Sequence, residues 1–258
     1  YKGNIVAWKK FANSLHLRLA MRLIKVNPGK AKTEVQKAFN AGVFTSNLDI
    51  CMLKHEDVQN DYVDMRGNGV SVAFNQSEVI PRACNTFIDQ LRSTNDPRLK
   101  VLIRYYLDNP YKPFERTDIT DQVVPLLGYN GVKPTSYVWD DWMSGLEISV
   151  PGKGLVTLTN NEQKAQLANF MIRNNAPFLH LTYAEVEFLL AEANLRFGLN
   201  LGGDAKTHYE NGITAALRQL SLFPEGPAFS NADISTFIQG NGLIPGKEIE
   251  MINNQLWI

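Results

Sequence analysis

Trp8-Lys-Lys-Phe-Ala-Asn-Ser-Leu-His-Leu-Arg-Leu-Ala-Met-Arg22 is the stretch that decides how this chain folds. Its apolar residues recur at steps of three and four. Trp8, Ala12, Leu15, Leu19 and Leu23 fall on one face of a helix, with Phe11 and Met21 at its edges. Asn13, Ser14, Arg18 and Arg22 are threaded through that pattern. A helix this apolar on both flanks is predicted to be buried between neighbours. Its arginines then need partners, because an unpaired buried charge is expensive. Glu192, far along the chain, is the expected answer to Arg18 or Arg22.

The pattern predicts a first helix over 5–26. Asn27-Pro28 follows as N-cap and first helical residue, and a second helix runs over 29–40 with Ala31, Val35, Ala38 and Phe39 inward, ending at Gly42. So short a connection makes the two helices antiparallel neighbours. The same design returns late. Thr182-Tyr-Ala-Glu185 reads as a capping box opening a helix to Phe197. Asp204 caps its partner, whose stripe is Tyr209, Ile213, Ala216, Leu217 and Leu220. Hairpins of this size suit a helical-repeat scaffold of tetratricopeptide type, discontinuous in sequence. Further helices are expected from Ser230 to Gln239 and from about Pro245.

Between the hairpins the material differs. Residues 70–83 read as a turn and 84–91 as a helix. Leu99-Lys-Val-Leu-Ile-Arg-Tyr-Tyr106 is a short apolar run that fits either a strand or a short helix. Residues 108–161 are rich in Pro, Gly, Asn, Asp and Thr and read as a long irregular loop, of the kind that carries function. The fold class is therefore mainly α, built of helical hairpins with long irregular loops and little β structure.

Composition narrows the function. The chain has 258 residues, with 26 Lys+Arg balanced by 26 Asp+Glu. That balance, without any basic run, lacks the footprint of a nucleic-acid binder. Cys51 and Cys84 are too few for a disulfide scaffold and are expected to be reduced and buried. No apolar run reaches the roughly 18 residues of a membrane-spanning helix. Tyr1-Lys-Gly-Asn opens the chain without Met, and Glu248 to Ile258 stops inside an apolar helical pattern. Both ends read as cut, so the chain is expected to be a fragment of a longer protein whose missing portion holds any targeting signal.

Several segments carry a family resemblance. The opening helix resembles the signature helix of SusD/RagB-like outer-membrane nutrient-binding lipoproteins of Bacteroidetes, in the SusD-like subgroup with tetratricopeptide-type helix pairs. Thr94-Asn-Asp-Pro-Arg-Leu99 resembles the Asn-Asp-Pro-Arg element that follows a helix in these proteins. Pro177-Phe-Leu-His-Leu-Thr-Tyr-Ala-Glu-Val-Glu-Phe-Leu-Leu-Ala-Glu-Ala193 is similar to the second family signature. Tyr209-Glu-Asn-Gly-Ile213 resembles the start of its partner helix, and Ile252-Asn-Asn-Gln-Leu-Trp257 the closing motif, with Leu256 where Lys is usual.

The resemblance implies one SusD-like domain fragment over 1–258, with its helical scaffold in 1–42 and 177–258 and an aromatic ligand region in 99–161. It implies a surface-exposed, non-catalytic protein of the outer membrane that holds oligosaccharides, or peptides in some relatives, for a SusC-like TonB-dependent porin. Attachment would be through an N-terminal lipid anchor absent from this chain. No cofactor is implied.

The residues themselves point the same way. His16, His55, His180 and His208 are scattered, with no pair at zinc-site spacing, and His55-Glu-Asp57 reads as a solvated loop. No nucleophile elbow, Walker loop or dinucleotide fingerprint occurs. Asp140 and Asp141 are adjacent, which in an extended segment sends them to opposite sides and suits a glycosidase poorly. Binding fits better. Tyr105, Tyr106, Tyr111, Phe114, Tyr129, Tyr137, Trp139 and Trp142 crowd one irregular region. Aromatic faces can stack on sugar C–H faces while nearby polar groups bond hydroxyls. Trp139, Trp142, Tyr137, Tyr129, Asp140 and Asp141 are the candidate ligand residues. The competing reading is a helical-repeat protein-interaction module in which these rings pin the loop to the scaffold.

Overall fold

A computed structural model describes residues 1–75, 81–107, 116–134 and 143–258. Two compact units account for them. The first comprises Tyr1–Lys54, Pro177–Leu222 and Ala228–Ile258, and the second His55–Ala176 and Phe223–Pro227.

The first unit is a set of helix hairpins. Helix α1 (Ile5–Arg22) starts where Asn4 Oδ1 accepts from the Val6 and Ala7 N–H groups. Helix α2 (Pro28–Asn40) is capped by Asn27 with Pro28 at its first position, and Ala31, Val35 and Ala38 are buried, as expected. Gly42 takes a φ of +93°, the left-handed region that a glycine C-terminal stop needs. A short strand, β1 (Cys51–Leu53), pairs antiparallel with β8 (Phe178–Leu181). Helix α7 (Tyr183–Phe197) follows, with Thr182 as N-cap and left-handed Gly198 at its end. Helix α8 (Ala205–Arg218) is capped by Asp204. Helices α9 (Asn231–Gly240) and α10 (Glu248–Trp257) complete the unit, α9 opening on a full Ser230/Asp233 capping box.

Helix α1 corrects the reading of its own sequence. The buried positions are Ser14, Leu17, Ala20 and Met21, on the side roughly opposite the Trp8–Leu23 stripe. Trp8 and Leu19 are about half exposed, at 50% and 54%. The segment is apolar nearly all round, so counting apolar steps does not select a face. Ser14, which looked like an interruption, lies at the contact. Its hydroxyl accepts from the Phe44 N–H at 2.9 Å and donates to the Lys10 carbonyl at 2.8 Å.

The arginine partners also differ. Arg18 forms a two-pronged pair with Glu185 and reaches the His180 carbonyl. Glu185 is therefore only half of a capping box: its N–H goes to Thr182 Oγ1 at 3.1 Å, but its carboxylate goes to Arg18. Glu192 pairs with Arg196, one turn along the same helix, at 2.5 Å. Arg22 is exposed. The residue facing Arg18 is thus in the first turn of α7, and Glu192, further along that helix, answers Arg196 instead.

Helix α7 lies between two apolar clusters. One joins it to α1 and α2 through Leu17, Met21, Val35, Val186, Leu190 and Ala193. The other joins it to α8, α9 and α10 through Phe188, Tyr209, Ile213, Leu217, Phe237 and Ile252. Gly212 permits the α7–α8 contact, because a Cβ there would lie 2.5 Å from the Phe188 ring.

In the second unit, α3 (Gly69–Asn75) is a helix where a turn was expected. Helix α4 (Asn85–Ser93) and α5 (Arg98–Leu102) follow. The ambiguous run through Tyr106 divides, its first part ending α5 and the rest making β2 (Ile103–Arg104) and β3 (Tyr106–Leu107). Strand β2 pairs with β7 (Gln166–Leu167), and β3 with β4 (Thr117–Asp118). The region read as one irregular loop also holds helix α6 (Thr120–Leu127) and the hairpin β5 (Leu146–Val150) with β6 (Gly154–Leu158). Pro151-Gly-Lys-Gly154 is its turn, with Gly152 and Gly154 at positive φ. Turn residues dense enough to suggest loop were here closing a hairpin. The cysteines are free, as expected, but half-buried rather than buried.

The Asn-Asp-Pro-Arg element has a structural role. Asn95 takes φ +52°, and the buried Asp96 and Arg98 form a two-pronged pair at 2.9 and 2.6 Å. Asp96→Asn is expected to destabilise the protein by about 3–5 kcal/mol, the cost of breaking a buried pair. Urea unfolding measures it. Gly212→Ala is expected to cost about 1–3 kcal/mol by overpacking against Phe188, outweighing the gain of about 1 kcal/mol from helix propensity. Gly240→Ala, where nothing lies within 4 Å, serves as the control and is expected to be neutral or stabilising.

Candidate functional site

The first unit contains a cavity of about 620 Å³ lined by α1, α7 and α10, but its charged walls include the Arg18–Glu185 pair of the scaffold and Glu192, which is engaged by Arg196. The second unit offers a cleft of different character. Helix α4 presents Asn85, Asp89 and Arg92 at intervals of four and three residues, hence on one face. Opposite them runs Leu127-Gly128-Tyr129-Asn130, and together they line a space of about 570 Å³.

The chain is held there by side chains gripping backbone. Gly128 leaves α6 at φ +64°, open to glycine without strain. The Tyr105 hydroxyl donates to the Gly128 carbonyl at 2.9 Å and accepts from the Asn130 N–H at 2.6 Å. Arg92 Nη2 donates to the Tyr129 carbonyl at 2.6 Å, while Nη1 binds Asp89 at 2.7 Å. Asn85 Oδ1 accepts from the Gly131 N–H at 2.8 Å. Gly131 lies so close to the Ala83 carbonyl that a Cβ would sit 2.2 Å from its oxygen. With the backbone polar groups engaged inward, the half-buried Tyr129 ring is left to line the cleft. Burial pushes the Tyr129 phenol up, opposed by the charge of Arg104.

Arg104 leads to a second, smaller cleft of about 340 Å³. It pairs with Asp118 at 2.9 Å. Arg116 stacks over the Tyr106 ring, its guanidinium carbon 4.7 Å from the centroid, and bonds Gln166 Oε1 and, at 2.7 Å, Asn169 Oδ1. Phe170 and Asn169 share the lining. The first cleft combines a half-buried aromatic ring with amides, a carboxylate and a guanidinium, which can stack on an apolar face and hydrogen-bond hydroxyl groups, whereas the rings lining the second are buried. Among the described residues no group of three His, Cys, Asp or Glu could hold a metal ion.

Of the candidate ligand residues, Tyr129 lines the first cleft. Tyr137, Trp139, Asp140, Asp141 and Trp142 lie outside the described residues, as do Tyr111 and Phe114. Tyr105 and Tyr106 are buried, and their rings serve the framework. Asn85, Asp89, Arg92 and Asn130 line the cleft without having been singled out. The available signal was the polar face of α4, which also fits a solvated helix.

A family model described as starch-binding associating with outer membrane matches residues 1–257. The chain belongs to the SusD-like family. Solved structures agree. A chitin-binding protein is 31% identical, with a TM-score of 0.76 over 100% of this chain and 49% of its own. A Bacteroidetes SusD-like protein is 30% identical, with a TM-score of 0.86 over 99% of this chain and 56% of its own. A chitin-binding SusD homolog from Flavobacterium johnsoniae, 22% identical with a TM-score of 0.64, covers 100% of this chain and 48% of its own and shares the fold. This SusD-like chain thus spans about half the length of these relatives. No curated protein matches it. The mainly α architecture is the one expected, and among the described residues no helix is long and apolar enough to cross a membrane.

Tyr105→Phe is expected to leave the Gly128 carbonyl and Asn130 N–H without their partner and to cost about 1–3 kcal/mol. Burial pushes the Tyr105 phenol up to about 12, so the neutral form is favoured in the fold. Its contribution is fully present below the ordinary tyrosine range and is lost as pH rises from about 10 through about 12. Chemical denaturation across that window, compared between wild type and variant, should show a shallower alkaline loss in Tyr105→Phe.

Proposed function

We propose that this chain is the C-terminal part of a longer, lipid-anchored surface protein that captures oligosaccharides without catalysis and delivers them to a SusC-like TonB-dependent outer-membrane porin. The observation that carries the reading is the Tyr129 cleft in a member of a starch-binding family: an aromatic ring beside Asn85, Asp89, Arg92 and Asn130. Ligand contact is assigned to Tyr129 together with Tyr137, Trp139, Asp140, Asp141 and Trp142. The relatives named for chitin binding support an oligosaccharide as ligand. A ring contributes the stacking surface, and the polar groups fix orientation.

Titration calorimetry of the full-length protein with chitin and starch oligosaccharides tests this. Tyr129→Ala and the double variant Trp139→Ala/Trp142→Ala are each expected to weaken binding about tenfold or more, equivalent to about 1.4 kcal/mol, at unchanged melting temperature. Binding to peptides with silence across oligosaccharides would replace the ligand class. Turnover abolished by Asp140→Asn or Asp141→Asn would overturn the non-catalytic reading.

A further inference from the structure

Two side chains on one face of α4 offer the Tyr129 cleft a matched donor and acceptor. Asn85 and Asp89 stand four residues apart on the helix, which places their Cβ atoms about 5–6 Å from each other. Asn85 is fixed by both its backbone and its side chain. Its backbone N–H donates to the Val132 carbonyl at 2.8 Å, and its Oδ1 accepts from the Gly131 N–H at 2.8 Å. A backbone N–H can only donate, so the atom that meets Gly131 is the amide oxygen. The Asn85 amide nitrogen is then the group left for the cleft, and among the described residues nothing accepts from it.

Asp89 supplies the complement. Its Oδ1 accepts from Arg92 Nη1 at 2.7 Å, and its Oδ2 has no partner among the described residues. Arg92 is committed in turn to the Tyr129 carbonyl through Nη2. The guanidinium steadies the carboxylate and balances its charge, so the lining of the cleft is neutral overall.

A neutral group with an acceptor on one edge and a donor on the other matches this pair. A secondary amide is such a group. Its carbonyl would accept from Asn85 Nδ2, and its N–H would donate to Asp89 Oδ2. Half-buried Leu99 and Leu127 also line the cleft and give an acetyl methyl an apolar contact. A hydroxyl in the same place would leave that apolar contact unused. An ammonium would face Arg92, and a carboxylate would face Asp89.

We propose that Asn85 and Asp89 read the acetamido group of an N-acetylated sugar whose ring stacks on Tyr129. Asn85 cannot turn without losing Gly131, nor Asp89 without losing Arg92, so both are aimed before the ligand arrives and little freedom is lost on binding. Polar groups aimed at an amide also reject analogues that leave them unpaired. The proposal deepens the reading above and rests on it, because a peptide backbone carries the same amide and the oligosaccharide reading of the cleft decides between them.

Titration calorimetry of the full-length protein tests it with the hexamers of N-acetylglucosamine, glucosamine and glucose, all joined by the same β linkage. The acetylated hexamer is expected to bind about tenfold or more tightly than the other two. Asn85→Asp keeps Oδ1 for the Gly131 N–H and turns the donor into an acceptor, in the first turn of a helix where a carboxylate is favoured. At unchanged melting temperature it is expected to weaken the acetylated hexamer about tenfold and to strengthen the glucosamine hexamer, whose ammonium then faces two carboxylates. Asp89→Ala, at an exposed position, is expected to cut the preference for the acetylated over the glucose hexamer about tenfold. Binding of the glucose hexamer or of a starch oligosaccharide as tightly as the acetylated hexamer overturns the acetamido assignment and leaves oligosaccharide capture standing. So does a preference that survives both substitutions unchanged. Silence across every oligosaccharide, with or without peptide binding, overturns the capture reading and this inference with it.

Discussion

Helix α7 is the constraint on which the first unit depends. It is buried from Ala184 to Asn194 apart from Glu185, with α1 and α2 on one side and α8, α9 and α10 on the other. A helix enclosed on both flanks must also satisfy every polar group it carries inside. Glu187 meets His208 Nδ1 at 2.7 Å, and the other ring nitrogen of His208 donates to the Leu201 carbonyl at 3.0 Å. Asn194 donates to the Gly203 carbonyl at 2.7 Å and accepts from the Leu201 N–H at 3.1 Å. The short α7–α8 connection is thereby tied to the helices it joins. These polar contacts set the register of the hairpin, and the apolar clusters supply the driving force.

The second unit is organised differently. Its strands are short pairs and its helices brief, so side chains bonded to backbone hold much of it. Tyr105 grips both sides of the Tyr129 turn, Arg92 and Asn85 hold the same segment from α4, and the Asp96–Arg98 pair closes the turn after α4. Such a framework suits recognition. The backbone's own hydrogen bonds are made inward, and the half-buried Tyr129 side chain is left lining the cleft.

The family signatures acquire separate physical reasons. The Asn-Asp-Pro-Arg element combines a left-handed asparagine with a buried ion pair. The Thr182 signature combines an N-cap with the carboxylate that answers Arg18. Gly212, in the partner-helix motif, is required by contact with Phe188. Of the signature segments only Leu99 reaches the Tyr129 cleft, so the signatures chiefly report the scaffold.

Local chemistry was legible in the chain. Caps at Asn27, Thr182 and Asp204, and the stop at Gly42, depend on a few neighbouring residues and emerged where expected. Helix existence and the mainly α class followed from the same periodicity. Three features were not legible. The buried face of α1 was misjudged, because a helix apolar all round is oriented by its neighbours and not by its own pattern. The Arg18–Glu185 pair spans 167 residues of sequence, and the competing acid Glu192 found a nearer partner one turn away. The Tyr129 cleft assembles from α4 and the end of α6, and a polar helix face looks alike in sequence whether it meets water or a ligand. Capping and turn chemistry are settled within about one helical turn, whereas facing, pairing and site assembly depend on which distant segments pack together.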